Sequence, residues 1–99
     1  MSKKPAVKEP VISYQYTFAL DVDMDAVEAN VLSALLAVES LHGQLQTRES
    51  ATYHVSAASH TLRIEATRRI GWDLCRIFTG FVISEFGDAS FSVYCETKE

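Results

Sequence analysis

The sequence contains few cysteines and histidines, the residues that hold zinc and similar metals. Only two cysteines, Cys75 and Cys95, occur among 99 residues, and they form no C-x-x-C motif. His42, His54 and His60 show no zinc-like spacing either, so we expect no metal and no other cofactor. Both cysteines fall on positions that the hydrophobic pattern assigns to the core. We therefore interpret them as buried small hydrophobic residues in a reducing compartment, which predicts a cytoplasmic protein.

Long apolar runs and positive charge are also scarce. No run of about 18 apolar residues is present, so we expect no membrane-spanning helix and no membrane partner. Residues 1–10 lack the apolar segment of a secretory signal, and we expect a flexible tail there and a single domain over residues 11–99. Lys and Arg number 9 against 13 Asp and Glu, giving a net charge of −4. Since binding to phosphate backbones depends on Lys and Arg, we expect no nucleic-acid partner.

The stretch from Gly71 to Gly87 organises the chain, because its apolar residues recur with the period of a helix. They cover roughly two-thirds of the helix circumference, whereas a surface helix has a stripe a little over 100° wide. We therefore predict a helix that is buried on more than one side, with Phe78 and Phe81 almost fully buried. The stripe and its two borders contain Trp72, Leu74, Cys75, Ile77, Phe78, Phe81, Val82, Ile83 and Phe86.

The first part of the chain predicts a strand and a helix. Apolar and polar residues alternate from Val11 to Leu20, which is typical of a half-buried strand. A helix is then predicted from about residues 23–25 to Leu41, with Asp25 and Glu28 spaced as a capping box and Gly43 as its end. Its predicted core stripe contains Met24, Val27, Val31, Ala34, Leu35, Val38 and Leu41.

The remaining segments predict three further strands. Alternation resumes from Gln44 to Val55 with a break at residues 49–50, a turn covers residues 56–60, and a strand covers residues 61–67. A last strand after Gly87 is predicted to bury Ala89, Phe91, Val93 and Cys95. The order strand, helix, strand, strand, helix, strand predicts an α+β fold. We expect a ferredoxin-like βαββαβ sandwich, in which a four-stranded antiparallel sheet has two helices on one face and its first and third strands at the centre.

The face of the sheet without helices is a candidate ligand site. His54, Arg63, Glu65 and Tyr94 are predicted to point to this face, together with hydroxyl and amide side chains. The first interpretation of these residues is a solvated or dimer-forming face, and the second is a shallow site for a small polar ligand. A catalytic pair of His54 and Glu65 is a third interpretation. RNA recognition is not expected, because the central strands lack aromatic residues on this face.

A second candidate site lies near the start of the second helix. Arg68, Arg69 and Arg76 cluster there, where unpaired backbone N–H groups favour an anion. The alternative interpretation, which is the simpler one, is that these arginines pair on the surface with Asp73, Glu65 or Asp88, and surface pairs of that kind contribute little.

Both predicted helices carry more apolar residues than one sheet face can cover. Leu32 and Leu36 lie outside the stripe of the first helix, and Trp72 and Ile77 flank that of the second. A chain of this size cannot bury them all. We therefore predict a homo-oligomer, first of all a dimer, formed through the helical layer. The sequence favours a protein that acts by association, as an accessory or small-ligand-binding module; the alternative is a small-molecule enzyme that uses the open sheet face. No catalytic residue is assigned.

Overall fold

Seven helices and strands follow one another in the part of the chain that the structure describes. The structure is a computed structural model that describes residues 9–98. Residues 1–8 of the expected tail lie outside the described residues. The elements are β1 (Val11–Phe18), α1 (Met24–His42), α2 (Gln44–Ser50), β2 (Ala51–Ser56), β3 (Thr61–Thr67), α3 (Arg68–Phe86) and β4 (Phe91–Lys98), with a short 3-10 turn, Asp88–Ser90, before β4.

The four strands form one antiparallel sheet in the order β2-β3-β1-β4. The prediction of a mixed α+β protein with a four-stranded antiparallel sheet is confirmed, and the first and third strands are central. Tyr16 and Phe18 of β1 are buried on the helix side. α1 and α3 run antiparallel, because His42 at the end of α1 contacts Asp73 near the start of α3, whereas Asn30 and Glu85 are hydrogen-bonded at the other end.

The helix α2 replaces the strand that we predicted from Gln44. Gly43 ends α1 with a φ of 94°, and its carbonyl then accepts a bond from the N–H of Thr47, at 3.1 Å, which starts a new helical turn. Thr47 is buried while Leu45 is exposed, so the two do not share an inward strand face. Over so few residues the alternation of apolar and polar side chains does not distinguish a strand from a helix, because a helix of seven residues is too short to show its own period.

The core lies between the sheet and one stripe of each long helix. α1 buries Met24, Val27, Val31, Ala34 and Val38, whereas Leu35 is half-buried and Leu41 is exposed. Asp23 caps α1 by accepting a hydrogen bond from the N–H of Asp25 at 3.0 Å. The cap is therefore Asp23 and not Asp25, which the predicted capping box required. Glu28 instead accepts a hydrogen bond from the hydroxyl of Tyr53.

The helix α3 is less deeply buried than we predicted. Phe78 is fully buried, as expected, but Phe81 is 37% exposed, and the prediction for Phe81 was wrong. The sheet and α1 cover only part of the helix circumference, and the remaining apolar side chains face outward. Gly71 lies inside α3, where an added Cβ would be 3.2 Å from Ala66 Cβ and from Tyr14 Cε1. This glycine allows α3 to approach the sheet closely.

None of the helices formed by residues 9–98 has the length and apolar character needed to cross a bilayer.

Candidate functional site

The open sheet face brings the predicted ligand residues together. His54, Arg63, Gln15 and Tyr94 face one another across the four strands, in one row from β2 to β4. With neighbouring strands about 4.8 Å apart, this row is about 15 Å long. Arg63 Nε lies 3.7 Å from Glu65 Oε2, so the carboxylate belongs to the same surface.

The chemistry of this row favours binding over proton transfer. His54 lies opposite Arg63, and a guanidinium has no lone pair that can accept a bond from the imidazole and orient it. A general base also needs a site that places it within hydrogen-bond reach of its substrate. The row therefore presents one imidazole, one guanidinium, one amide and one phenol to a polar ligand.

The three arginines predicted to bind an anion lie around Trp72. Arg68 and Arg69 line a depression of about 630 Å³ together with Tyr14 and Trp72. The guanidinium carbon of Arg76 lies 5.9 Å from the centroid of the Trp72 ring, within the range of a cation–π contact. The structure thus places all three cations around one exposed aromatic side chain.

A carboxylate in the same depression is bonded to a histidine on α1. Asp73 lines the same depression, but its Oδ2 lies 2.7 Å from Nε2 of His42 on α1. Within the described residues no ion pair joins Arg68, Arg69 or Arg76 to a carboxylate. The alternative interpretation, in which Asp73, Glu65 or Asp88 pairs with these arginines, is therefore not what the described residues show.

An apolar groove of about 440 Å³ lies beside this cluster, between α3 and the edge strand β4. We call it the β4 groove. Tyr14 and Trp72 line both the groove and the depression that contains Arg68 and Arg69, so the two adjoin. The residues that line the β4 groove are Tyr14, Tyr16, Trp72, Cys75, Arg76, Thr79, Gly80, Ile83, Val93 and Cys95.

The β4 groove exists because α3 does not cover β4. Val93 and Cys95 point to the helix side, as the alternation predicted, but Val93 is 45% exposed and Cys95 is exposed. The prediction that they are buried was wrong, and Ala89 likewise lies exposed in the turn before the strand. Alternation specifies the side of a sheet to which a residue points, whereas its burial depends on whether another element lies above it.

The floor of the β4 groove is uncharged at neutral pH. Cys75 is buried, and burial raises the pKa of its thiol to about 12. Burial likewise raises the pKa of the Tyr16 phenol, whose hydroxyl lies 2.8 Å from that of Thr79. Because a thiol rather than a thiolate is present, Cys75 is not an activated nucleophile.

A second apolar surface lies at the opposite edge of the sheet. Leu32 and Leu36, which are 46% and 65% exposed, line a groove of about 570 Å³ together with Leu35, Ala51 and Tyr53. We call these five residues the α1 flank. Beside them, Arg48 Nε lies 3.5 Å from Glu39 Oε2.

The four predicted interface residues are divided between the two edges of the sheet. Leu32 and Leu36 lie beside β2, whereas Trp72 lies beside β4. Ile77 is half-buried and packs against the core. The surplus of apolar residues that the sequence indicated is real, but it forms two surfaces.

Sequence reasoning missed Gly80 and Ile83 as neighbours of the arginine cluster. The available signal was helical spacing, because Trp72, Arg76, Gly80 and Ile83 follow one another at intervals of three or four residues on one side of α3. What the sequence did not show was that β4 would provide the opposite wall.

Searches against protein-family models, curated proteins and solved structures found no match. Within the described residues no group of three or more His, Cys, Asp or Glu side chains is arranged to hold a metal ion.

Proposed function

We propose that the protein acts by association, as a cytoplasmic homodimer formed through the α1 flank. We also assign its domain to the ferredoxin-like βαββαβ sandwiches, with α2 as an addition between α1 and β2. The central positions of β1 and β3 support this assignment.

The observation that carries the proposal is the exposure of Leu32 and Leu36 on one helix face. They are separated by one turn and lie beside the half-buried Leu35, so they form a continuous apolar surface. Exposed apolar patches of this kind mark interaction sites. In a two-fold dimer the same patch is used on both chains. Because Leu32 and Leu36 are already partly buried, covering their remaining exposed area stabilises the dimer by about 0.7–2 kcal/mol for each leucine.

The two free cysteines support a cytoplasmic location. Cys95 is an exposed free thiol, and Cys75 is free and buried. Disulfides are rare in the cytosol because thiols are kept reduced there. An exposed free thiol therefore fits this compartment.

Size-exclusion chromatography with light scattering tests the dimer. At micromolar concentration we expect a mass of twice the 11.0 kDa of one chain. Leu36→Glu places a charge in the interface and should give a monomer. Leu20→Glu is the matched control, because Leu20 is 86% exposed and lies outside the α1 flank; it should remain a dimer. A wild-type mass of one chain would rule out the proposal, and a dimeric Leu36→Glu would rule out this surface.

A second candidate function uses the open sheet face. The row of His54, Arg63, Gln15 and Tyr94 supports binding or turnover of a small polar molecule there. A metabolite that binds the native state raises the apparent melting temperature. His54→Ala should abolish that shift and any turnover, while the oligomer size stays unchanged. An unchanged shift in His54→Ala would exclude the row as the site.

A further inference from the structure

The β4 groove is apolar and elongated. Its walls are aliphatic and aromatic side chains from α3, β1 and β4, with Tyr16, Ile83 and Val93 among them. Along α3 it extends from Trp72 to Ile83, and at about 1.5 Å per residue this distance is about 16 Å. A volume of about 440 Å³ lies within the range of ligand pockets for small molecules.

One end of the groove is positively charged. Arg68, Arg69 and Arg76 all lie near Trp72, at the end of α3 where the β4 groove meets the depression that contains Arg68 and Arg69. They are three of the five arginines in a chain whose net charge is −4, so positive charge is concentrated at this place. Asp73 lines the same depression and is hydrogen-bonded to His42, and among the described residues no ion pair joins the three guanidinium groups to a carboxylate.

We propose that the β4 groove binds a small amphipathic anion, with a linear acyl chain along α3 and a carboxylate or similar anionic head at Arg68, Arg69 and Arg76. The chain contacts the apolar walls, and burial of each CH₂ contributes about 0.8 kcal/mol. The head forms charge-assisted hydrogen bonds with the guanidinium groups, which are about twice as strong as neutral ones. The neutral thiol of Cys75 on the groove floor does not repel this ligand.

The shape and the charge of the groove favour a single-chain ligand over a second copy of the protein. Ligand sites are concave and mostly apolar with a few polar groups, and the β4 groove has this form. A second copy would have to place an acidic segment against the arginines and an apolar one along α3. The α1 flank has no such combination, because Arg48 and Glu39 already pair beside it.

Decanoate is a suitable probe, because Trp72 is the only tryptophan in the sequence and lines the groove. Titration of the whole protein with decanoate below its micelle concentration should change the fluorescence of Trp72 in a saturable manner. Decanol has the same chain without the charge, and we expect it to bind about tenfold more weakly. Acetate and inorganic phosphate carry charge without a chain and should give no change at the same concentrations.

Gly80 offers a variant that fills the groove without disturbing the fold. An added Cβ at Gly80 meets no atom within 4 Å, so the site has room for a larger side chain. Gly80→Phe should weaken decanoate binding about tenfold or more, because its ring occupies the apolar channel. Gly80→Ala is the matched control at the same position, and it should bind within about twofold of wild type. Circular dichroism and melting temperature confirm that both variants are folded.

The arginines are tested in the same titration. The double change Arg68→Gln and Arg69→Gln should weaken decanoate binding about tenfold and leave decanol binding unchanged. Arg48→Gln removes one positive charge at the opposite sheet edge, against two in the double variant, and should have no effect.

Three outcomes would overturn the proposal. One is equal binding of decanoate by Gly80→Phe and wild type, and another is equal binding of decanoate and decanol by wild type. The third is binding of the protein to vesicles of phosphatidylcholine and phosphatidylglycerol with no response to free decanoate, which would indicate a membrane surface instead of a free ligand.

Discussion

The two apolar surfaces of this protein differ in what surrounds them. The α1 flank is lined by leucines and lies beside an arginine that is already paired with Glu39. The β4 groove is lined by aromatic and aliphatic residues and ends at three arginines without carboxylate partners among the described residues. The same surplus of apolar residues therefore forms two surfaces of different character, and our proposals assign a second copy to the neutral one and an amphipathic ligand to the charged, concave one.

The origin of the difference lies at the two edges of the sheet. At the β2 edge, α2 follows α1 directly and leads into β2, so the α1 flank is bounded by a helix. At the β4 edge, α3 covers the strand only in part among the described residues, so that Val93 is 45% exposed and Cys95 is exposed. A groove forms where a helix stands above a strand without a further element beside it.

The core beneath α3 should be more sensitive to truncation than the core beneath α1. Phe78 is fully buried and meets Tyr16 edge to face with a centroid distance of 4.9 Å. We expect Phe78→Ala to lower the free energy of unfolding by about 3–5 kcal/mol and Val31→Ala, beneath α1, by about 2 kcal/mol. Urea denaturation measures both.

Phe81→Ala is the control for this prediction. Phe81 is 37% exposed on the same helix, so its truncation should cost only about 1–2 kcal/mol. Equal losses in the variants of Phe78 and Phe81 would contradict the orientation of α3.

The buried thiol beneath the β4 groove should make stability depend on alkaline pH. Burial raises the pKa of Cys75 from 9.0 to about 12, so in the unfolded chain the thiol ionises first. The contribution of the protonated Cys75 thiol to the free energy of unfolding is fully present below about pH 9. It is lost as the pH rises toward about 12. Between about pH 8 and about pH 11 the free energy of unfolding of the wild type should fall by about 2 kcal/mol more than that of Cys75→Ala.

Urea denaturation across this pH range gives the comparison, and each protein serves as its own reference at about pH 8. If the free energy of unfolding falls by the same amount in the wild type and in Cys75→Ala, the thiol beneath the groove is accessible to water.

Two glycines of α3 should respond in opposite ways to alanine. Gly80 faces open space in the β4 groove, so Gly80→Ala should stabilise the protein by about 0.5–1 kcal/mol through helix propensity. At Gly71 the new methyl group would be 3.2 Å from Ala66 Cβ and Tyr14 Cε1, and this crowding should cancel or reverse the gain. Thermal or urea denaturation measures both variants. An equal gain in stability at the two positions would contradict the close approach of α3 to the sheet.

Much of the architecture could be predicted from the sequence, because long elements repeat their period many times. The strand of residues 61–67 and the ends of α1 and α3 at Gly43 and Gly87 were predicted at or within one residue of their observed positions. The side of the sheet to which each predicted ligand residue points was also predicted correctly, since alternation depends only on the pleat. The helix α2 was missed because seven residues contain no complete pattern.

How far neighbouring helices and strands cover the apolar side chains could not be predicted from the sequence in the same way. The sequence placed Phe81 and Cys95 on apolar faces, and both are partly or largely in contact with solvent. Their burial depends on how far a neighbouring helix or strand extends over them. The periodicity of apolar residues along one element carries no information about that. The β4 groove is a direct result of this missing cover, and so the site appeared only with the structure.

The most direct test of two separate surfaces is the mass of the wild-type protein in the presence of saturating decanoate. The α1 flank and the β4 groove lie at opposite edges of the sheet, so the ligand and the second copy should bind together. We predict that light scattering still gives twice 11.0 kDa while the fluorescence of Trp72 shows full occupancy. A mass that falls to one chain as decanoate binds would show that the ligand and the dimer compete for one surface, and it would contradict this account.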